Sequence, residues 1–474
     1  MKIKDITPLA IAALPEPAEA QRPRVTVIGT GYLGATHAAA VAEMGFDVIG
    51  VDTDPLKVAS LEQGEVPFFE PGLPELISRH VATGRLSFTT DLAGAVAASD
   101  IHFICVGTPQ QPSSHAADLR FVDAAVRAVA EAMTHDGLIV GKSTVPVGTA
   151  ARLRALVADV VPAHLRAELI WNPEFLREGL AVEDTLRPDR IVIGGASPWA
   201  EQQLRLLYAP TIEHGAPVVT CDLPTAELVK VSANAFLATK ISFINAIAGL
   251  CEKAGADVGV LADAIGYDAR IGRKFLNAGL GFGGGCLPKD IRALMHRAGE
   301  LGAYSAVGLM QQVDEINMDQ RQRVIDLTLS MLGGSALNTR IAVLGAAFKP
   351  DTDDVRDSPA LNVAAGLHLR GALVSVYDPA ARGTAGRIFP TLSYADSLES
   401  AVAGADVVLV LTEWSEFRDA DPAVVGELVR RRVIIDARGC LPSAEWMAAG
   451  WRYRALGRGG VEQPISVPAQ AFAA

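Results

Sequence analysis

The chain has 474 residues, a formal charge of −12 and a pI near 5.3. Half of its residues are hydrophobic and 20% are charged, which excludes a largely disordered chain and leaves room for two or three domains. The acidity excludes nucleic acid and anionic membranes as natural partners, since both need a basic footprint. Cysteines stand at 105, 221, 251, 286 and 440, with no CxxC and no His/Cys cluster. That pattern points to no metal and to the reduced thiols of a cytoplasmic protein.

Residues 1–23 read as a flexible extension. The apolar stretch Pro8 to Leu14 is short, broken by proline and flanked by Asp5, Glu16 and Glu19, unlike a secretion signal. No apolar run approaches the ~18 residues of a transmembrane helix. From Arg24 the pattern changes: RVTVIG, an alanine-rich helix Ala35 to Met44, a stop at Gly45, then FDVIGVD. IHFICVG (101–107), GLIVGKST (137–144) and RIVIGG (190–195) alternate with helical stretches. Near-continuous apolar strands alternating with helices predict a parallel sheet covered on both faces, over 24–212.

From Leu223 the strand signals stop, and a long helix is expected over Thr225 to Lys253. Residues 213–332 read as a helical, dimer-forming middle domain, broken by the loop GLGFGGGCLPKD (279–290). Alternation restarts at Arg340 with RIAVLG, ALVSVYD, ADVVLVLTEW and RRVIIDARG, giving a second α/β domain over 333–458 and a tail over 459–474. The expected fold class is α/β: two doubly wound Rossmann-like domains joined by a long central helix and a helical bridge. RVTVIGTGYLG and RIAVLGAAFKP begin alike, but the second keeps only its first glycine, so the two domains should bind different things.

Gly29, Gly31 and Gly34 form GxGxxG between a strand and a helix. In that setting the first glycine makes the turn, the second admits a pyrophosphate and the third lets helix pack on strand. Asp52 ends the next strand, where a carboxylate accepts from ribose hydroxyls and repels a 2′-phosphate, so NAD is favoured over NADP. A solvated Asp in the DTDP turn is the alternative. Lys57 either balances that charge or is an exposed helix residue.

Cys286 lies among glycines beside Lys289 and Asp290, and the adjacent positive charge favours thiolate. Lys230 and Asn234, four apart, share a helix face and offer an oxyanion two donors; a solvated pair is the plainer reading. Glu174 and Glu178 in WNPEFLRE follow a helix start, where the dipole alone favours acids. Thr144 stands at the carboxyl edge of a strand, either as a ligand contact or as a turn residue before Val145 and Pro146.

With these motifs the chain resembles the UDP-glucose/GDP-mannose dehydrogenase family over about 24–442. The resemblance rests on GTGYLG, VGTP (106–109), STVPVGT (143–149), NPEFLREG (172–179), ELVKVSANAFLATKISFIN (227–245), GFGGGCLPKD (281–290) and FKPDTDDVRDSP (348–359). It implies an NAD domain, a dimer-forming bridge and a nucleotide-sugar domain. It further implies Cys286 as nucleophile, Lys230 and Asn234 on oxyanions, Asp290 and Thr144 arranging a water, and Glu174 as base for thioester hydrolysis. Tyr32, Leu33, Thr108 and Glu178 would join Gly29, Gly31, Gly34, Asp52, Lys57 and Thr144 around NAD. Phe175, Leu176, Phe282, Gly283, Lys349 and Arg438 would line the sugar nucleotide with Glu174, Lys230 and Asn234. Arg270 would reach the sugar of a neighbouring subunit.

The implied reaction is a four-electron oxidation of a nucleotide sugar held on sulfur, and the DxRIG and NAGLGFGGG wording resembles UDP-glucose enzymes most. A UDP-N-acetylhexosamine 6-dehydrogenase is the alternative of the same chemistry. A two-electron hydroxyacid dehydrogenase would need neither Cys286 nor the second α/β domain, and a non-catalytic NAD-binding regulator would not need the four polar residues. The chain departs from the family wording at Gly285 (usually serine), Leu287 (usually phenylalanine) and Arg120 (usually small).

Overall fold

The structure, a computed structural model, describes residues 22–458. The expected tail lies outside them, as does the expected extension except Arg22 and Pro23; Arg22 donates to the Gly45 carbonyl at 3.0 Å.

The first sheet has eight strands: β1 (Val25–Ile28), β2 (Val48–Val51), β3 (Leu86–Thr89), β4 (Ile101–Ile104), β5 (Gly137–Gly141), β6 (Ala167–Trp171), β7 (Ile191–Gly194) and β8 (Val218–Cys221). Their spatial order is β3-β2-β1-β4-β5-β6-β7-β8, parallel except where β6 meets β7. The sheet therefore runs to Cys221, past the boundary at 212 expected from sequence. β3, β6 and β8 went unnoticed there because they are short or carry polar residues, and β8 is a partly exposed edge. β1, β4 and β5 are buried at every position because helices cover both faces. The helix Tyr32–Glu43 packs through alanines that are wholly buried at 35, 38, 39, 40 and 42, small enough to bring helix and sheet close beside the glycine turn.

The second sheet contains β9 (Arg340–Leu344), β10 (Leu373–Tyr377), β11 (Ser393–Tyr394), β12 (Val407–Val410), β13 (Val433–Asp436) and β14 (Arg452–Ala455), ordered β11-β10-β9-β12-β13-β14 and all parallel. The chain thus draws the 3-2-1-4-5-6 pattern of a dinucleotide fold twice. Loops after β4 and β5 of the first sheet and after β13 of the second meet the segment between the sheets.

That segment is built on a helix of 32 residues, Leu223–Ala254. The Asp222 carboxylate caps it by accepting from Thr225 N at 2.7 Å, and Gly255 ends it at φ 73°. Lys230, Asn234 and Ala238 lie on its buried side, while Leu228, Phe236, Phe243 and Leu250 form an exposed stripe. The sequence expectation that nothing approaches a membrane span needs correcting, since this helix is long and apolar enough by length and composition. The apolarity has another source: one face packs in the protein and another stays open. The helices Leu287–Glu300 and Tyr304–Met331 pack against it.

Candidate active site

The dinucleotide cradle comes first. Gly29 has φ +87°, and a Cβ on Gly34 would stand 1.8 Å from the Gly29 carbonyl oxygen, so only glycine lets the helix approach the turn. A Cβ on Gly31 would meet nothing within 4 Å. Backbone there borders open space, and the helix starting at Tyr32 has no side-chain cap, leaving its first N–H groups for a phosphate. Asp52 follows β2, with Thr30 N, Thr30 Oγ and Lys57 Nζ all donating to its Oδ2 at 2.9, 3.0 and 2.9 Å. Burial alone would raise this carboxyl, but Lys57 and the amides of Asp54 and Thr30 outweigh it and hold it below the ordinary range. These residues fit NAD. Leu33 packs on the domain core, and the Tyr32 hydroxyl bonds Glu70 and accepts from Gly179 N.

The loops after β4 and β5 meet where Thr108 Oγ donates to the Thr144 carbonyl at 2.8 Å. Both threonines line a cleft with Lys289 and Asp290, so a residue read only from its strand-end position stands beside the cysteine loop. That loop is held from three sides. Asn317 clamps Phe282, accepting from its N–H at 2.8 Å and donating to its carbonyl at 3.0 Å. Asn245 accepts from Gly279 N at 2.8 Å. Arg438 donates from Nη1 to the Gly281 carbonyl at 2.9 Å, from Nη2 to the Phe348 carbonyl at 3.2 Å and from Nε to the Leu411 carbonyl at 2.7 Å. Gly283 is tight as well, because a Cβ there would lie 2.4 Å from the Asp357 carbonyl oxygen.

Cys286 stands at the start of the helix Leu287–Glu300. Lys230 pairs with Glu174 at 2.9 Å; Asn234 Nδ2 donates to Asp290 Oδ2 at 2.7 Å, and Lys289 pairs with Asp290 at 2.6 Å. Cys286 is partly open to solvent, three and four residues ahead of the Lys289 and Asp290 that line the cleft. Burial, then Glu174 and Asp290, push it up to about 11 against the pull of Lys230 and Lys289. The expected thiolate is thus corrected: burial and the two carboxylates, each already paired with a lysine, outweigh the lysines' pull. Burial works against the charge on Lys230, but Glu174, Cys286 and Asp290 outweigh it and hold the ammonium above its ordinary value. The Phe175 ring lies 5.7 Å from Lys230 Nζ and 3.6 Å beneath the Arg190 guanidinium. Leu176 N donates to Glu174 Oε2 at 2.8 Å.

The two α/β domains touch around Glu178. Its carboxylate meets Arg356 at 3.1 Å and Thr352 Oγ at 3.2 Å, and its carbonyl accepts from Lys349. Burial and Asp354 push Glu178 up to about 7 against Arg356, Lys349 and Thr352. Sequence reasoning missed Arg356, although it lies within a quoted motif. Its guanidinium fills the space a side chain on residue 285 would take, 2.2 Å from that Cβ position. Leu287, the second departure, packs beside Phe282 and Ile291. Arg120, the third, faces solvent and pairs with Asp118 at 2.6 Å. One candidate is not brought in: the side chain of Arg270 is 89% exposed and pairs with Asp268 at 2.6 Å. All five cysteines are free. Among the described residues no cluster of three His, Cys, Asp or Glu side chains offers a metal site.

An NAD cradle on one doubly wound sheet, with a cysteine loop that a second such domain helps to hold, defines a class: NAD-dependent dehydrogenases with a second α/β domain. Sequence comparison narrows the class. The chain matches the NAD-binding, central and UDP-binding domains of the UDP-glucose/GDP-mannose dehydrogenase family over 23–212, 224–319 and 342–443, and it belongs to that family. It is 43% identical over 439 residues to UDP-glucose 6-dehydrogenase TuaD of Bacillus subtilis, covering 92% of this chain and 94% of the relative. It is 42% identical over 437 residues to UDP-glucose 6-dehydrogenase of Rhizobium meliloti, covering 92% and 99%. A UDP-glucose dehydrogenase structure from Pyrobaculum islandicum superposes with a TM-score of 0.86 at 36% identity, covering 94% of this chain and 99% of that one.

Proposed function

We propose that the chain oxidises UDP-glucose to UDP-glucuronate with two NAD per sugar. The observation that carries this reading is the pairing of Lys230–Glu174 and Asn234–Asp290 around the Cys286 loop, at the meeting of the two domains. NAD, when bound, accepts hydride from the C6 carbon, and the cradle of Gly29, Gly31, Gly34 and Asp52 holds it. Lys230 and Asn234 hold the oxygen at C6 by donating to it as charge develops. Asp290 and Thr144 orient the water that carries away the hydroxyl proton. Cys286 Sγ adds to the aldehyde carbon, so the intermediate stays attached and presents a second carbinol for oxidation to a thioester. Glu174 then removes a proton from the water that cleaves the C–S bond. Lys349 and Arg438 would hold the phosphates and sugar of the nucleotide against the net acidic field, turning from the carbonyls they now bond.

The exposed stripe Leu228, Phe236, Phe243 and Leu250 supports a homodimer formed along the central helix. Arg270 would act across that boundary, from a loop that Lys240 anchors by donating to the carbonyls of Ile271 and Gly272 at 3.1 and 3.0 Å. A cytoplasmic location accords with the free cysteines and the NAD requirement.

Incubation with UDP-glucose, UDP-N-acetylhexosamines and GDP-mannose, reading NADH, tests substrate choice. Two NADH and one UDP-glucuronate per UDP-glucose are expected, without released aldehyde. Faster turnover of an N-acetylated sugar would move the assignment to that substrate. Mixing Arg270→Ala chains with Cys286→Ala chains should restore part of the activity, and an active monomer in light scattering would remove the shared site.

A further inference from the structure

Beside Glu174 lies a cavity of about 40 Å³ whose lining includes Lys142, Asn172, Glu174, Thr185, Arg190 and Tyr208 and does not include Cys286. Pro173, Phe175, Leu176, Pro188 and Ile191 make much of its wall apolar. It nevertheless exceeds the ~10–15 Å³ that one water needs, and Lys142, Asn172, Glu174 and Tyr208 offer such a water polar partners. Lys142 leaves the end of β5 and is buried, donating to Asn172 Oδ1 at 3.0 Å and to the Tyr208 hydroxyl at 3.3 Å. The Tyr208 hydroxyl itself donates to Asn172 at 2.8 Å. Both partners are neutral, so this buried amine has no carboxylate of its own, unlike Lys230 and Lys289. The ammonium has three donors and two partners. Glu174 belongs to both places: its Oε1 pairs with Lys230 at 2.9 Å, and it lines the cavity together with Lys142.

Oxidation of a primary alcohol to a carboxylate by two hydride transfers and one water must discharge three protons for each sugar. We propose that this cavity is a hydrated proton exit, in which Lys142 receives through water the proton that Glu174 takes from the hydrolytic water. The inference rests on Glu174 being that base. In the hydrolysis the water oxygen bonds to the acyl carbon, the C–S bond breaks, and its electron pair leaves on Sγ. Of the two protons the water brings, one ends on Sγ. The other is released from Glu174 to the neutral amine of Lys142, which passes it to solvent.

Burial brings Lys142 down to about 8, with Cys105 and Glu174 pulling it back up and Lys230 pushing it further down. The amine therefore gives and takes protons near neutrality. The other groups facing it are His37, wholly buried on the helix Tyr32–Glu43 and held well below its ordinary value by burial and by Lys142, and the hydroxyl of Tyr208. Arg190 faces the cavity from just ahead of β7, and Asp184 lines it from the short helix before it.

The test uses the full-length enzyme with Lys142→Met, Lys142→Arg and Glu174→Gln. Lys142→Met is expected to lower kcat by about 100-fold with little change in KM for either substrate. It should show an NADH burst, an acyl adduct on Cys286 in acid-quenched intact mass, and loss of the rise in kcat between about pH 7 and 9. Lys142→Arg keeps the charge and the hydrogen bonds but cannot release a proton, so it should behave as Lys142→Met does. Full activity in Lys142→Arg, or wild-type turnover in Lys142→Met, overturns the relay and leaves Lys142 as an anchor for Asn172. Adduct in Glu174→Gln but not in Lys142→Met overturns the relay alone, whereas no adduct in Glu174→Gln overturns the base on which it rests. If both Lys142 variants fail to fold, Thr185→Ile decides: narrowing the cavity should make the adduct accumulate, and its absence overturns the proposal.

Discussion

The two α/β domains share one strand order and differ in what their first loop does with its amides. In the NAD domain, Gly31 borders open space and the following helix starts without a side-chain cap. In the second domain the equivalent turn after β9 closes on itself. Asp378, which follows β10 as Asp52 follows β2, accepts from Ala346 N at 2.7 Å and Ala347 N at 2.9 Å. It also accepts from Ala380 N, Ala381 N and the Trp414 indole. Thr30 N donates to Asp52 as Ala346 N does to Asp378, so the difference lies one residue on: a carboxylate occupies the amide of Ala347, whose counterpart Gly31 borders open space. One turn is an open cradle and the other is closed by its own acid, with Lys349 and Arg438 in nearby loops. A dinucleotide turn is an anion site, and an internal acid satisfies it as well as a ligand does.

Removing the group that the two domains jointly enclose should have the largest effect. Cys286→Ala should bind NAD and UDP-glucose in calorimetry while its net oxidation to acid falls by about three orders of magnitude or more, since a covalent route is lost. Near-normal UDP-glucuronate production would make the thiol a small residue in a tight loop. Next is Asp378→Ala, which strands four backbone donors and one indole in a buried place, at a cost of about 3 kcal/mol or more. Chemical denaturation should show that loss with NAD affinity preserved, and lost NAD affinity at unchanged stability would break the comparison. Asp52→Ser should do the reverse, narrowing the preference for NAD over NADP by about tenfold or more with a stability change near 1 kcal/mol. Equal use of both cofactors by the unmodified enzyme would refute the role given to Asp52.

The smallest effect concerns pH. The Cys286 thiol is raised to about 11, and thiolate is the form that alkylates. Inactivation by iodoacetamide, without NAD or sugar present, should therefore keep rising with pH beyond the ~8.5 of a free cysteine. Lys230→Met, which deletes a charge favouring thiolate, should push the curve higher still. A plateau below pH 9 would show that the lysines do lower this thiol despite their carboxylate partners.

Much of this protein was legible without coordinates, because the signals are local. Alternation of apolar strands with helices, GxGxxG before an alanine-rich helix, and Asp52 at the next strand end each depend on a few neighbouring residues. The spacing of Lys230 and Asn234 placed them on one helix face for the same reason. Tertiary structure decided what depends on residues far apart in the chain. Lys230 finds Glu174 and Asn234 finds Asp290 across 56 residues in either case, and burial, followed by those two carboxylates, holds the Cys286 thiol above its ordinary value. Arg356 reaches the cysteine loop from another domain. In the sequence Lys142 is one residue of the run GLIVGKST, and only packing shows that it is buried with neutral partners near Glu174. Periodicity and turn chemistry report how a segment folds; charge balance in a buried site is a sum over every neighbour, and the chain order does not name them.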